Sequence, residues 1–151
     1  MQKGIVDLRK LPDREFEQLW DRILVPDELK IKLVSHLLFE FTVRGKFDSG
    51  ALPLHGIILL VGPPGTGKTS LAKAIASKAA SSLKNANMKF IQVEPHSLTS
   101  SSLGKSQREI TTFLQETIPE HATQPLIVLL DEVEDDAPCS VEIPMRCLTE
   151  N

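Results

Sequence analysis

The chain has 151 residues, 41% hydrophobic and 25% charged, the size and make-up of one ordinary globular domain able to bury a core. Its 17 basic and 20 acidic residues leave a net charge of −3, which excludes a global field drawing the protein to nucleic acid. The longest apolar runs, residues 56–61 and 126–130, are too short to span a bilayer. With no secretory signal, and with Cys139 and Cys147 lacking zinc or redox spacing, a reduced cytoplasmic setting is expected.

Residues 1–10 read as a loosely held arm. Phe16, Leu19, Trp20 and Ile23 then fall at helical spacing with one apolar face, and Pro26-Asp27-Glu28 has the form of a helix start with acids in its first turn. Leu29, Leu33, Val34, Leu37, Leu38 and Phe41 continue an apolar stripe that stops at Gly45. Residues 56–61, GIILLV, form a continuous apolar run expected to be a buried strand. Leu71, Ile75, Ala79 and Leu83 predict a helix that packs on a sheet, residues 90–93 a second strand, and residues 94–105 a Ser-rich loop. Ile110, Phe113, Leu114 and Ile118 line another helix, closed off by Pro119, and residues 126–130 make a third buried strand. Strands alternating with helices predict an α/β fold, a parallel sheet flanked by helices.

Between the first strand and its helix stands Gly62-Pro63-Pro64-Gly65-Thr66-Gly67-Lys68-Thr69, a full G-x-x-x-x-G-K-[ST] phosphate-binding loop. The glycines allow unusual backbone angles and close approach to phosphate, while the N–H groups of the loop and of the helix start, Ser70 included, converge on an anion. Lys68 has the reach and charge for the β- and γ-phosphates, and the Thr69 hydroxyl suits Mg²⁺. The strand at 126–130 ends in Asp131-Glu132, at the end of a sheet where ligands of open α/β folds bind. Asp131 is placed to hold the Mg²⁺ shell and Glu132 to polarise water for attack on the γ-phosphate, general-base assistance worth on the order of 10²–10⁴ in rate. A water-activating carboxylate favours hydrolysis over transfer to a substrate. His36, His55, His96 and His121 are scattered without metal-ligand spacing.

Together the loop, the lead-in Pro53-Leu54-His55-Gly56, the segment Glu94-Pro95-His96-Ser97-Leu98 and the ending Leu130-Asp131-Glu132-Val133-Glu134 resemble the AAA+ ATPases. Within them the likeness is to the pachytene-checkpoint branch, which remodels HORMA-domain proteins, and to its bacterial members in anti-phage operons. The resemblance implies a P-loop NTPase of the AAA+ large-subdomain type, with ATP and Mg²⁺ as cofactors, a hexameric ring, and a HORMA-domain protein as partner. It also implies that residues 99–105 face a central pore with Leu103 as the grip; a plain surface loop is the alternative. The expected organisation is an arm with helices over 1–45, a partial ATPase core over 46–134 and a divergent tail over 135–151. After Glu134 no fourth strand, arginine finger or helical lid is identifiable, and spacing alone does not nominate Arg146 as a finger. The expectation is therefore a C-terminally truncated member. Two outcomes stay open for it: part of an ATP-hydrolysing remodeller, or a non-catalytic nucleotide-binding fragment or interaction module.

Overall fold

A computed structural model describes residues 4–44, 46, 56–83, 87–94, 109 and 111–131. The chain divides into two units, residues 10–88 and residues 1–9 with 89–151.

Among its described residues the first unit carries three helices. Helix α1, Arg14–Arg22, starts where the Asp13 carboxylate accepts the N–H groups of Glu15 and Phe16 at 2.9 and 3.2 Å. That carboxylate satisfies donors that a first helical turn leaves without partners. Glu15 and Glu17 near its start and Arg22 near its end suit the helix dipole. Helix α2, Asp27–Arg44, follows Pro26, whose carbonyl accepts from Leu29 and Lys30. Helix α3, Lys68–Ser82, packs against both. Its buried face carries Ala74, Ala76, Ala79 and Ala80, small side chains that let neighbouring helices approach closely. Val34 of α2 packs there with Leu71, Ile75 and Ala79, flanked by Trp20, Ile23, Leu37 and Leu38.

Two polar devices lock this unit. Ser77, 0% exposed, accepts from the Asp13 N–H at 3.0 Å and donates to the Asp13 carbonyl at 3.2 Å, tying α3 to the start of α1. Lys30, 5% exposed, donates to the Trp20 carbonyl at 2.7 Å, a cation placed at the carbonyl-rich end of α1. The ammonium groups of Lys30 and Lys78 lie 5.3 and 5.5 Å from the Trp20 ring centre.

The second unit is built on a three-stranded sheet in the order β1 (Ile5–Leu11), β2 (Met88–Val93), β3 (Leu126–Leu130). β2 and β3 run parallel, with Lys89 opposite Leu126 and Val93 opposite Leu130. The Glu94 N–H donates to the Gly4 carbonyl at 3.2 Å, so β1 starts where β2 ends and the sheet is mixed. Ile91 and Val93 share a face with Leu126, Val128 and Leu130, and this face packs on Phe113, Leu114, Ile118 and Ala122. Phe113 and Leu114 belong to a π-helical turn, Phe113–Thr117, Ile118 opens helix α4, Ile118–His121, and Ala122 is its C-cap.

Three expectations are corrected. Residues 1–10 are not simply an arm, because Ile5–Leu11 is a sheet strand with Ile5 and Leu11 buried. Pro119 does not close its helix; it sits in the first turn of α4, and the Ile118 N–H reaches back to the Phe113 carbonyl. Proline is tolerated in a first turn, and the widened turn before it accommodates the ring. Residues 56–61 are not a buried strand. Ile57, Leu59 and Val61 are 54%, 79% and 85% exposed, and none of the described strands pairs with them. An apolar run becomes a core strand only when neighbours cover both its edges and its faces.

Candidate nucleotide-binding site

The loop turns on two left-handed glycines, Gly65 at φ +76° and Gly67 at φ +85°. A Cβ at either would meet nothing within 4 Å, so glycine is required there by backbone angle rather than by crowding. The Thr66 hydroxyl donates to the Pro63 carbonyl at 2.8 Å and closes the turn from inside. Lys68 reaches back across the loop, its ammonium donating to the Gly62 carbonyl at 2.9 Å and the Pro63 carbonyl at 2.8 Å. Gly67 is the N-cap of α3 and supplies no side-chain cap; its carbonyl accepts the Leu71 N–H at 2.8 Å. The first N–H groups of a helix have no acceptor within the helix itself, so this end presents donors and a positive dipole to the loop. Gly62, Pro63, Pro64, Gly65 and Thr66 are exposed, and Lys68, Thr69 and Ser70 are half-buried. This is a cradle of backbone donors beside one ammonium, suited to a polyphosphate.

Asp131 stands in the other unit, directly after β3. Its N–H continues the parallel ladder by donating to the Val93 carbonyl at 3.1 Å. Its Oδ2 accepts from Gln92 Nε2 at 3.1 Å. Gln92 was absent from the sequence-based set, although one polar residue within the apolar run Phe90-Ile91-Gln92-Val93 is itself a signal. Glu132 lies outside the described residues, as do Leu103 with the whole of 99–105, and Arg146 with the tail over 135–151. Among the described residues no three His, Cys, Asp or Glu side chains gather as a metal cage. No described helix is long and apolar enough to cross a membrane.

Residues 58–141 match the family model of the ATPase family associated with various cellular activities (AAA). The chain belongs to this AAA ATPase family. Within it, the chain is similar to CD-NTase-associated protein 6 of Pseudomonas aeruginosa, 50% identical over 133 residues, covering 87% of this chain and 44% of that protein. It is 34% identical over 129 residues to the pachytene checkpoint protein 2 homolog of Sus scrofa, covering 82% of this chain and 30% of that protein. Among solved structures, PCH-2 of C. elegans aligns at a TM-score of 0.60 and 25% identity, over 86% of this chain and 36% of that one. This AAA chain thus spans less than half the length of each of these relatives. AAA membership carries ATP binding as a family property and sets the fold as a P-loop fragment, a small mixed sheet with helices.

Proposed function

We propose that this chain is the nucleotide-binding part of an ATP-driven remodelling ATPase that acts on HORMA-domain proteins, within a hexamer of longer subunits. The observation that carries the reading is the loop over residues 62–69, with two left-handed glycines, a helix start directly after them and the Lys68 ammonium folded back on the loop's own carbonyls. The substrate class and the ring rest on likeness to the pachytene checkpoint homologs and to CD-NTase-associated protein 6.

In this reading the backbone N–H groups of Gly65, Thr66, Gly67, Lys68 and Thr69 bind the phosphates, the prolines Pro63 and Pro64 having none to give, and Lys68 exchanges loop carbonyls for phosphate oxygens. The Thr69 hydroxyl and the Asp131 carboxylate are hard oxygen donors, the kind Mg²⁺ takes one or two of while keeping water and phosphate for the rest. When bound, Mg²⁺ neutralises charge building on the transferred phosphate oxygens. Glu132 accepts a proton from the attacking water.

Thermal unfolding with and without ATP and Mg²⁺ tests the site. At one hundred times the dissociation constant, ATP stabilises the native state by about 2.7 kcal/mol. For a chain of this size that raises the Tm by roughly 5–11 °C. Lys68→Ala is expected to abolish the shift, and an undiminished shift would remove the loop from the site. In a chain carrying the rest of the ATPase, Glu132→Gln is expected to retain ATP while turnover drops at least about 10²-fold; turnover at the parental rate would strip Glu132 of the role of base.

A second reading, a non-catalytic interaction module, is favoured by the exposed alternation of Ile57, Leu59 and Val61. An apolar strand-forming run with open edges is a template for pairing with another chain. Leu59→Lys should then weaken capture by full-length subunits without altering the ATP-dependent Tm shift.

A further inference from the structure

We infer that Gln92 is a positioning residue for Asp131, holding its carboxylate in the orientation from which it takes Mg²⁺. The inference rests on the proposed reading of Asp131 as a magnesium ligand. Its ground is the sheet register. Gln92 lies opposite Leu129 in the parallel pair, and Asp131 is two residues beyond Leu129. Side chains alternate along a strand, so Gln92, Leu129 and Asp131 occupy one face, and Ile91 and Val93 turn to the other, where they join the core.

A glutamine and an aspartate in this diagonal relation sit about 7–8 Å apart at the backbone, a gap only a long side chain closes. Gln92 closes it, with Nε2 at 3.1 Å from Oδ2. An ionised carboxylate only accepts, so the amide must present its NH₂ end to Asp131. Val93, the next residue of β2, takes the Asp131 N–H on its carbonyl at 3.1 Å. Consecutive residues of β2 therefore hold both the backbone and the side chain of Asp131. Gln92 shares its face with Phe90, Ile127 and Leu129 and is partly buried, with its amide turned to Asp131.

A partner that orients a metal ligand shows its effect in metal affinity: loss of such outer-shell bonds costs on the order of 10–100-fold. Two substitutions separate length from chemistry. Gln92→Met keeps the length and removes the donor; Gln92→Asn keeps the donor and is one methylene too short. Binding of a fluorescent ATP analogue to the full chain is measured in EDTA and across a Mg²⁺ titration, with Asp131→Ala alongside. Both Gln92 variants are expected to bind the analogue normally in EDTA and to need about tenfold more Mg²⁺ for half-maximal tightening. A merely structural role would move the EDTA affinity and the Tm instead, and either that pattern or a parental Mg²⁺ midpoint would overturn the assignment. If Asp131→Ala itself leaves the Mg²⁺ dependence intact, the failure lies with the reading of Asp131 and not with Gln92 alone.

Discussion

Replacing Ser77 by alanine removes one oxygen from a position with 0% exposure and breaks two hydrogen bonds, one accepted from the Asp13 N–H and one donated to the Asp13 carbonyl. Each such bond contributes about 1 kcal/mol net, with a larger loss where the abandoned group stays shielded from water. Alanine is the better helix former, which offsets roughly 0.5 kcal/mol. The balance is a destabilisation of about 1.5 kcal/mol, or a Tm lower by roughly 3–6 °C. Ser81 is the internal control: it sits one turn on in α3 and donates to Glu17 Oε1 at 2.8 Å, but at an exposed position. Ser81→Ala should cost no more than about 0.5 kcal/mol. Calorimetry or circular dichroism melts of the three proteins decide it. A Ser77→Ala protein as stable as its parent, or a Ser81→Ala protein losing more, would refute the claim that the buried clasp fixes α1 to α3.

Gly67→Ala carries a cost confined to the backbone, since a Cβ there meets nothing within 4 Å while φ is +85°. The expected loss is about 1–2 kcal/mol, with Gly67→Asn less affected, as read from paired melts and ATP-induced shifts. Lys30→Met deletes a buried charged donor 2.7 Å from the Trp20 carbonyl. We expect a loss of about 1–2 kcal/mol and a changed emission spectrum from Trp20, the single tryptophan of the chain. A more stable variant would mean that the desolvation cost of the ammonium outweighs its bond.

The helices were legible because each carries its own signals. The spacing of Phe16, Leu19, Trp20 and Ile23 marks α1, Pro26 with Asp27 and Glu28 marks α2, and Leu71, Ile75 and Ala79 after Gly67 mark α3. β3 was read with its full extent and β2 with part of its length, because each carries a short continuous apolar run. β1 was missed because its pattern is reversed. Val6 and Leu8 are exposed, whereas Asp7 and Arg9, joined by a 3.0 Å ion pair, are partly covered. Residues 56–61 mislead in the opposite sense: composition reports a capacity for burial, and burial itself depends on strands that must lie alongside. In the site, the loop motif states its own geometry, because phosphate binding by backbone needs glycines at fixed offsets. Gln92 does not, because its meaning arises only when the register of β2 against β3 places it diagonal to Asp131.

The Lys68 ammonium bound to the Gly62 and Pro63 carbonyls has a thermodynamic consequence. A free lysine side chain surrenders roughly 2 kcal/mol of rotamer entropy when it is fixed. Here that freedom is already largely gone once the loop has folded, so an arriving anion meets a charge held in place and needs only to exchange partners with two carbonyls. The conformational tax on association falls on the protein's own stability, and the loop keeps its affinity for the ligand.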